Sequence, residues 1–197
     1  MIQLPTLIFA TNNQHKVDEI RSFTGDRFNI ITLKEADIDI DIPEPHDTLQ
    51  ANAIEKSSTI FKMVHQNVFS EDTGLEVSAL NGEPGVKSAR YAGTDRDFQA
   101  NIDKLLFKLD GIENRNAQFR TVVSLILNGE NYLFEGICEG KIIKHQQGEK
   151  GFGYDPIFIP NGSDKTFAQM TMEEKNTFSH RQKAITKLLD FLTSYQA

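Results

Sequence analysis

Short apolar runs alternate with helical-period segments through the first half of the chain. Thr6–Ala10 (TLIFA) is β-rich and ends abruptly in a polar stretch, Thr11–Lys16. Val17, Ile20 and Phe23 then recur at helical spacing, which predicts a short helix over residues 13–23. Phe28–Leu33 reads as a second strand, and Asp37–Asp47 as an extended, proline-broken loop. Leu49, Ala53, Ile60, Phe61 and Val64 mark one face of a long helix from about Thr48 to about His65, with Thr48 or Asp47 as its cap. Asn67–Ser70 and Gly74–Leu80 read as two strands that meet at Ser70–Gly74, and Gly82–Val86 as a turn. Phe98, Ile102, Leu105, Leu106 and Leu109 predict another amphipathic helix. Gln118–Asn128 and Asn131–Ile143 form a hairpin pattern around Asn128-Gly129, a strong turn dipeptide. Gln146–Gly162 is too rich in glycine and proline for regular structure, and Ala184, Leu188, Phe191 and Leu192 predict a last helix. Early alternation and a late hairpin point to an α/β chain around a mixed sheet.

Composition narrows the classes. The 197 residues suit one domain, with room for two lobes. Hydrophobic residues are 39% and charged residues 25%, so the chain is globular. A net charge of −7 argues against a protein that tracks nucleic-acid phosphates or a polybasic membrane binder, but not against a small anionic ligand. Cys138 is the single cysteine, which rules out an internal disulfide and suits a cytoplasmic location. The N-terminal apolar run lacks a basic flank and is too short for a signal or a membrane span.

Five stretches carry candidate chemistry. Thr11–Lys16 lies between a strand and a helix start, where free N–H groups and the helix dipole favour an anion, although an ordinary capped turn looks the same. It has neither the Walker nor the dinucleotide glycine pattern, and Glu19 reads as an ion-pair partner or a solvent-facing residue. Glu44 precedes the long helix, on which Asn52 and Lys56 share a side; taken alone, a solvated polar face explains them best. Glu71 and Asp72 sit where a strand end is expected, so they suit either a turn or a hard divalent cation, for which Glu44 and Asp72 would suffice. Gly151–Phe158 (GFGYDPIF) can approach a flat ligand closely: Phe152 or Tyr154 could stack on a base, and Asp155 could accept from its ring N–H groups. Thr171 and Glu174 make a capping box, followed by the polar group Lys175, His180 and Arg181. Arg90 fits a phosphate ligand or an ion pair equally, and Cys138 reads as an inert thiol in an apolar strand.

In order, these stretches are T-x-N-x-x-K-x-x-E (Thr11–Glu19), E-x-x-x-T with N-A-x-x-K (Glu44–Lys56), D-T-G-L-x-V through S-A-R-Y (Asp72–Tyr91), G-F-G-Y-D-P-I-F, and E-E-K-N-x-x-S-H-R-x-K-A (Glu173–Ala184). The series resembles the bacterial branch of the Ham1-type inosine triphosphate pyrophosphatases, over nearly the whole chain. The resemblance implies one domain over residues 1–197, with an elongated central mixed sheet flanked by helices, two lobes and a deep cleft, working as a cytoplasmic homodimer. It implies Mg²⁺-dependent hydrolysis of ITP, dITP and XTP to the monophosphate and pyrophosphate, with no nucleic-acid or membrane partner. By the same resemblance, Thr11, Asn12, Asn13, Gln14, His15, Lys16 and Lys56 hold the triphosphate. Glu44 and Asp72 hold the metal, Asp72 is also the base, and Thr73 contacts phosphate or water. Phe152 stacks on the purine within the Gly153–Tyr154 loop, and Asp155, Lys175, His180 and Arg181 read its edge.

The chain departs from the family pattern in places. Asn12 stands where glycine is common, Ala51 and Gln169 where glutamate is common, and Lys87 where an aromatic is usual; the acidic pair is Glu71-Asp72, followed by Thr73 in place of serine. None removes a residue assigned to catalysis. A pyrophosphatase for other modified nucleotides and a catalytically silent nucleotide binder are the rival readings. Lys16, Lys56, Glu44 and Asp72 together argue against silence, since a binder needs no base.

Overall fold

The computed structural model describes residues 6–24 and 28–195, except the side chain of Phe23, so that residue's expected place on the first helix lies outside what is described. The chain forms two compact units. The first comprises Met1–Asp72, Thr121–Gly136 and Arg181–Ala197; the second comprises Thr73–Arg120 and Ile137–His180.

The strands are β1 (Thr6–Phe9), β2 (Asn29–Thr32), β3 (Val68–Val77), β4 (Pro84–Gly85), β5 (Asn116–Leu127), β6 (Glu130–Ile142) and β7 (Phe158–Pro160). The helices are α1 (Gln14–Thr24), α2 (Leu49–Val64), α3 (Phe98–Lys108), α4 (Met172–Phe178) and α5 (His180–Ser194). The strands form one mixed sheet in the order β2-β1-β3-β5-β6-β7, with β4 against β3. β1 runs parallel to β2 (Thr6 opposite Asn29) and to β3 (Ile8 opposite Val68), while β4 and β7 pair antiparallel. The expected hairpin is present: Asn128 (φ 53°) and Gly129 (φ 85°) both take left-handed conformations, as a two-residue hairpin turn requires.

Two core clusters stabilise the first unit. Leu7, Phe9, Val17, Ile20 and Phe69 pack with Val123, Leu125 and the α5 face Ala184, Ile185, Leu188 and Leu189. Ile8, Leu33 and Ile60 lie with Val68 in the other. The second unit closes around Leu75, Ile102, Leu105, Phe119, Phe158 and Phe167. Burying such side chains contributes about 1.5–3 kcal/mol each and dominates the stability of either unit.

Four expectations need correction. β3 is one continuous strand, so Glu71 and Asp72 lie in mid-strand and not at a strand end. Thr73-Gly74 does not turn; the glycine is there because β4 crosses at close range, and an added Cβ on Gly74 would stand 2.6 Å from the Gly85 carbonyl oxygen. The Gly/Pro-rich segment is not wholly irregular, since Phe158–Pro160 pairs with β6 opposite Ile142–Gly140. The last helical region is two helices, with Lys175 inside α4 and His180 and Arg181 opening α5.

Candidate active site

In the first unit the site grows out of the start of α2. The Thr48 hydroxyl caps the helix by accepting the Ala51 N–H at 3.1 Å. One turn on, Asn52 clamps the preceding loop: its Oδ1 accepts the His46 N–H at 2.9 Å and its Nδ2 donates to the His46 carbonyl at 3.0 Å. That loop carries Glu44, and the next turn of α2 carries Lys56. Lys56 Nζ donates to Glu44 Oε1 at 2.6 Å and to Asp72 Oδ1 at 2.8 Å. Asn52 and Lys56 are therefore buried, not part of a solvated face.

Burial pulls the Lys56 ammonium down, but the Asp72 and Glu44 carboxylates outweigh it and hold its pKa above the ordinary value. Burial pushes the Asp72 carboxyl up, against the pull of Lys56 and Lys16. A carboxylate with a raised pKa is a stronger base than one in water, which suits proton abstraction.

Neighbouring side chains of a strand point to opposite faces, so Glu71 and Asp72 serve different partners. Glu71 accepts from Arg181 Nε with both oxygens, at 3.0 and 2.8 Å, and pairs with Lys16 Nζ at 3.2 Å. Arg181 Nη1 also donates to Glu19. Burial alone would raise the Glu71 carboxyl, yet Arg181 and Lys16 hold it down at about 2. Burial lowers the Lys16 ammonium despite Glu71. Glu71 is thus committed to two cations, whereas Glu44 and Asp72 share Lys56. The Arg181 guanidinium pairs with Glu19 and Glu71. Glu19 does pair with a base, one of the two fates its sequence context left open.

Between β1 and α1, the Asn13 N–H donates to Thr11 Oγ1 at 3.2 Å, and the Lys16 N–H reaches Asn13 Oδ1 at 3.4 Å. Asn12 adopts no left-handed conformation and instead donates its amide to the Ile40 carbonyl at 2.8 Å, so the position does not require glycine. Gln14 and His15 are exposed in the first turn of α1.

The second unit holds the rest. Gly151 (φ 75°) and Gly153 (φ 61°) flank Phe152, conformations that favour glycine. Asp155 Oδ2 accepts the Phe152 N–H at 2.9 Å and Lys175 Nζ at 2.6 Å, tying the loop to α4. The Lys175 ammonium stands 5.3 Å from the Phe152 ring centre and 5.2 Å from that of Phe167. Tyr154 is buried and donates to the Ser88 carbonyl at 2.9 Å. His180 stacks on Phe119 with ring centres 4.7 Å apart. α4 starts at the expected capping box, Thr171 with Glu174, and Gln169 makes a similar box with Thr166. Arg90 and Lys87 are exposed, Thr73 is half-buried, and Cys138 is a buried free thiol in β6.

Gly151 offers a direct test of this loop. A methyl group there would run into the Asp155 carboxylate while holding a strained positive φ. Gly151→Ala is expected to cost roughly 1–3 kcal/mol of stability, which thermal denaturation would check.

A mixed-sheet α/β chain in which the buried Lys56 bridges two carboxylates, with an aromatic-lysine loop, has the features of a phosphate-handling α/β protein. The Ham1 family model matches residues 7–191, so the chain belongs to the Ham1 family. It is 47% identical over 188 residues to a dITP/XTP pyrophosphatase of Flavobacterium johnsoniae, covering 95% of this chain and 98% of that one. A protein of the same name from Porphyromonas gingivalis is 48% identical, covering 94% and 96%. Among solved structures, the Staphylococcus aureus Ham1 protein superposes with a TM-score of 0.88 at 42% identity, covering 97% of this chain and all of that one.

Proposed function

We propose that the chain hydrolyses non-canonical purine nucleoside triphosphates (ITP, dITP and XTP) to the monophosphate and pyrophosphate. The observation that carries this reading is the Lys56 ammonium held between Glu44 and Asp72, with Lys16 in the adjoining ion-pair cluster. The names of the relatives support the substrate class.

Charge explains the need for a metal. In the first unit three cations (Lys16, Lys56, Arg181) face four carboxylates (Glu19, Glu44, Glu71, Asp72). Side chains so balanced cannot neutralise a triphosphate by themselves. Glu44 and Asp72 fit a hard cation: their oxygens converge on one point, now the Lys56 nitrogen. Among the described residues no larger group of metal-binding side chains occurs, and Mg²⁺ needs only one or two carboxylates. An ion held by Glu44 and Asp72 would displace the Lys56 ammonium from that point and would neutralise charge on the phosphate oxygens.

The protein's own residues supply the rest. Thr11–Lys16 and Lys56 bind and orient the triphosphate, and Thr73 contacts phosphate or water. Asp72 orients the attacking water and takes its proton. Phe152 gives the purine a stacking face, worth about 1–3 kcal/mol per base. Lys175 is a donor without acceptor capacity, so it suits the O6 of a 6-oxo purine and opposes the amino group of adenine. Asp155 positions Lys175, and His180 reads the base beside them. Arg181 holds Glu71, and through it Lys16, in addition to reading the base edge as the resemblance implies. The working form is a cytoplasmic homodimer of single-domain chains. No helix among the described residues is long and apolar enough to cross a membrane.

Pyrophosphate release from ITP, XTP, dITP, GTP and ATP, with Mg²⁺ and with chelator, tests the reading. The first three are expected to be cleaved, with loss of activity in chelator. Orthophosphate release, or equal turnover of ATP, would overturn it.

A further inference from the structure

Three rings in the core of the second unit pack against one another. Phe119 and Phe167 lie 6.0 Å apart with planes at 22°, and Phe158 stands 4.7 Å from the first and 5.2 Å from the second. Two of the candidate base-reading side chains rest on this cluster. The Lys175 ammonium lies 5.2 Å from the Phe167 ring centre, and the His180 ring stacks on Phe119 at 4.7 Å with planes at 15°. Phe167 neighbours both, since its ring centre is also 6.4 Å from that of His180. Phe167 and Lys175 are each buried. The backbone beneath Phe167 is fixed from the Thr166 side: the Thr166 N–H donates to Gln169 Oε1 at 2.8 Å, and its hydroxyl donates to the Gln147 carbonyl at 2.7 Å.

We propose that Phe167 is a positioning residue for purine discrimination, its ring face holding the Lys175 ammonium so that Lys175 does not withdraw from a mismatched base. This rests on the assignment of Lys175 as the reader of the purine O6. A lysine ammonium sits at the end of a flexible four-carbon stem. It rejects the amino group of adenine only while it stays where the two donors oppose each other; a donor free to retreat admits adenine at little cost. The Asp155 carboxylate holds the ammonium at 2.6 Å, and the Phe152 and Phe167 rings add to that hold from 5.3 and 5.2 Å. Phe167 lies in the core and not in the loop that meets the base, so its contribution is the same whichever base enters. A ring face attracts a cation within about 6 Å, and most strongly where both are out of water, as here. An aliphatic side chain of similar bulk fills the space without supplying that face.

The test reads the ratio of kcat/KM for ITP over that for ATP in the full-length protein. Phe167→Leu is expected to lower this ratio about three- to tenfold, while inhibition by inorganic triphosphate, which has no base, stays within about twofold of the parent. Phe158→Leu removes a neighbouring ring of the same core and should leave the ratio within about twofold. A trifluorinated phenylalanine in place of Phe167 keeps the shape of the core but weakens the ring face, so it should lower the ratio even if the leucine variant does not fold. An unchanged ratio in the fluorinated protein, or an equal fall in Phe167→Leu and Phe158→Leu, would reduce Phe167 to a packing residue and overturn the inference. Lys175→Met separates this inference from the assignment beneath it. If that variant loses the preference for ITP while the Phe167 variants keep it, the inference alone fails. If Lys175→Met keeps the preference, the assignment of Lys175 as base reader fails, and the inference with it.

Discussion

Asp72→Asn is expected to lower kcat for ITP by roughly 10²- to 10⁴-fold, the range of a positioned general base. The substitution keeps the shape of a buried side chain but removes its basicity and its charge. Lys56 is not abandoned by the change, since Glu44 Oε1 still accepts from it at 2.6 Å. The variant should therefore fold and bind ITP. Single-turnover pyrophosphate release, alongside calorimetric binding, separates the two properties. Turnover near that of the parent would remove Asp72 from the chemistry, whatever became of the affinity.

Arg181→Ala should produce the largest loss of stability. It strips the main cation from Glu71 and takes a partner from Glu19, both buried. Breaking a buried pair typically costs roughly 3–5 kcal/mol, which for a chain of this size is a fall in Tm of about 6–20 °C. The sign of the pH dependence follows from Glu71, whose carboxyl lies at about 2 in the folded state against an ordinary 4.5. A depressed carboxyl stabilises the fold above its unfolded pKa, and that share is lost as pH falls from 4.5 through 2. Urea denaturation should show the gap between parent and variant narrowing over this window. A constant gap down to pH 3 would contradict the ion-pair account.

The parts of the fold that local chemistry decides were legible in the sequence. Asn128-Gly129 specifies a hairpin because both residues tolerate positive φ, and Thr48 specifies a helix start because its hydroxyl can reach the Ala51 N–H. The burial of Lys56 was not legible. A lysine at polar helical spacing looks solvated until the distant carboxylate of Asp72 is placed beside it. The continuity of β3 was hidden for a related reason: Thr73-Gly74 has the composition of a turn, and only the approach of β4 explains a glycine inside a central strand. The ordered motifs name a set of candidate site residues, but not their partners: Arg181 follows His180 directly, yet pairs with Glu71 across 110 residues of sequence.

The first unit is assembled from three separate segments, the last beginning at Arg181. On the ribosome, Glu19 and Glu71 emerge long before the guanidinium that neutralises them. A nascent chain cannot bury those carboxylates until the final helix has left the exit tunnel. Every segment of the second unit precedes Arg181, so the first unit closes its ion-pair cluster only after the second unit's part of the chain has been made.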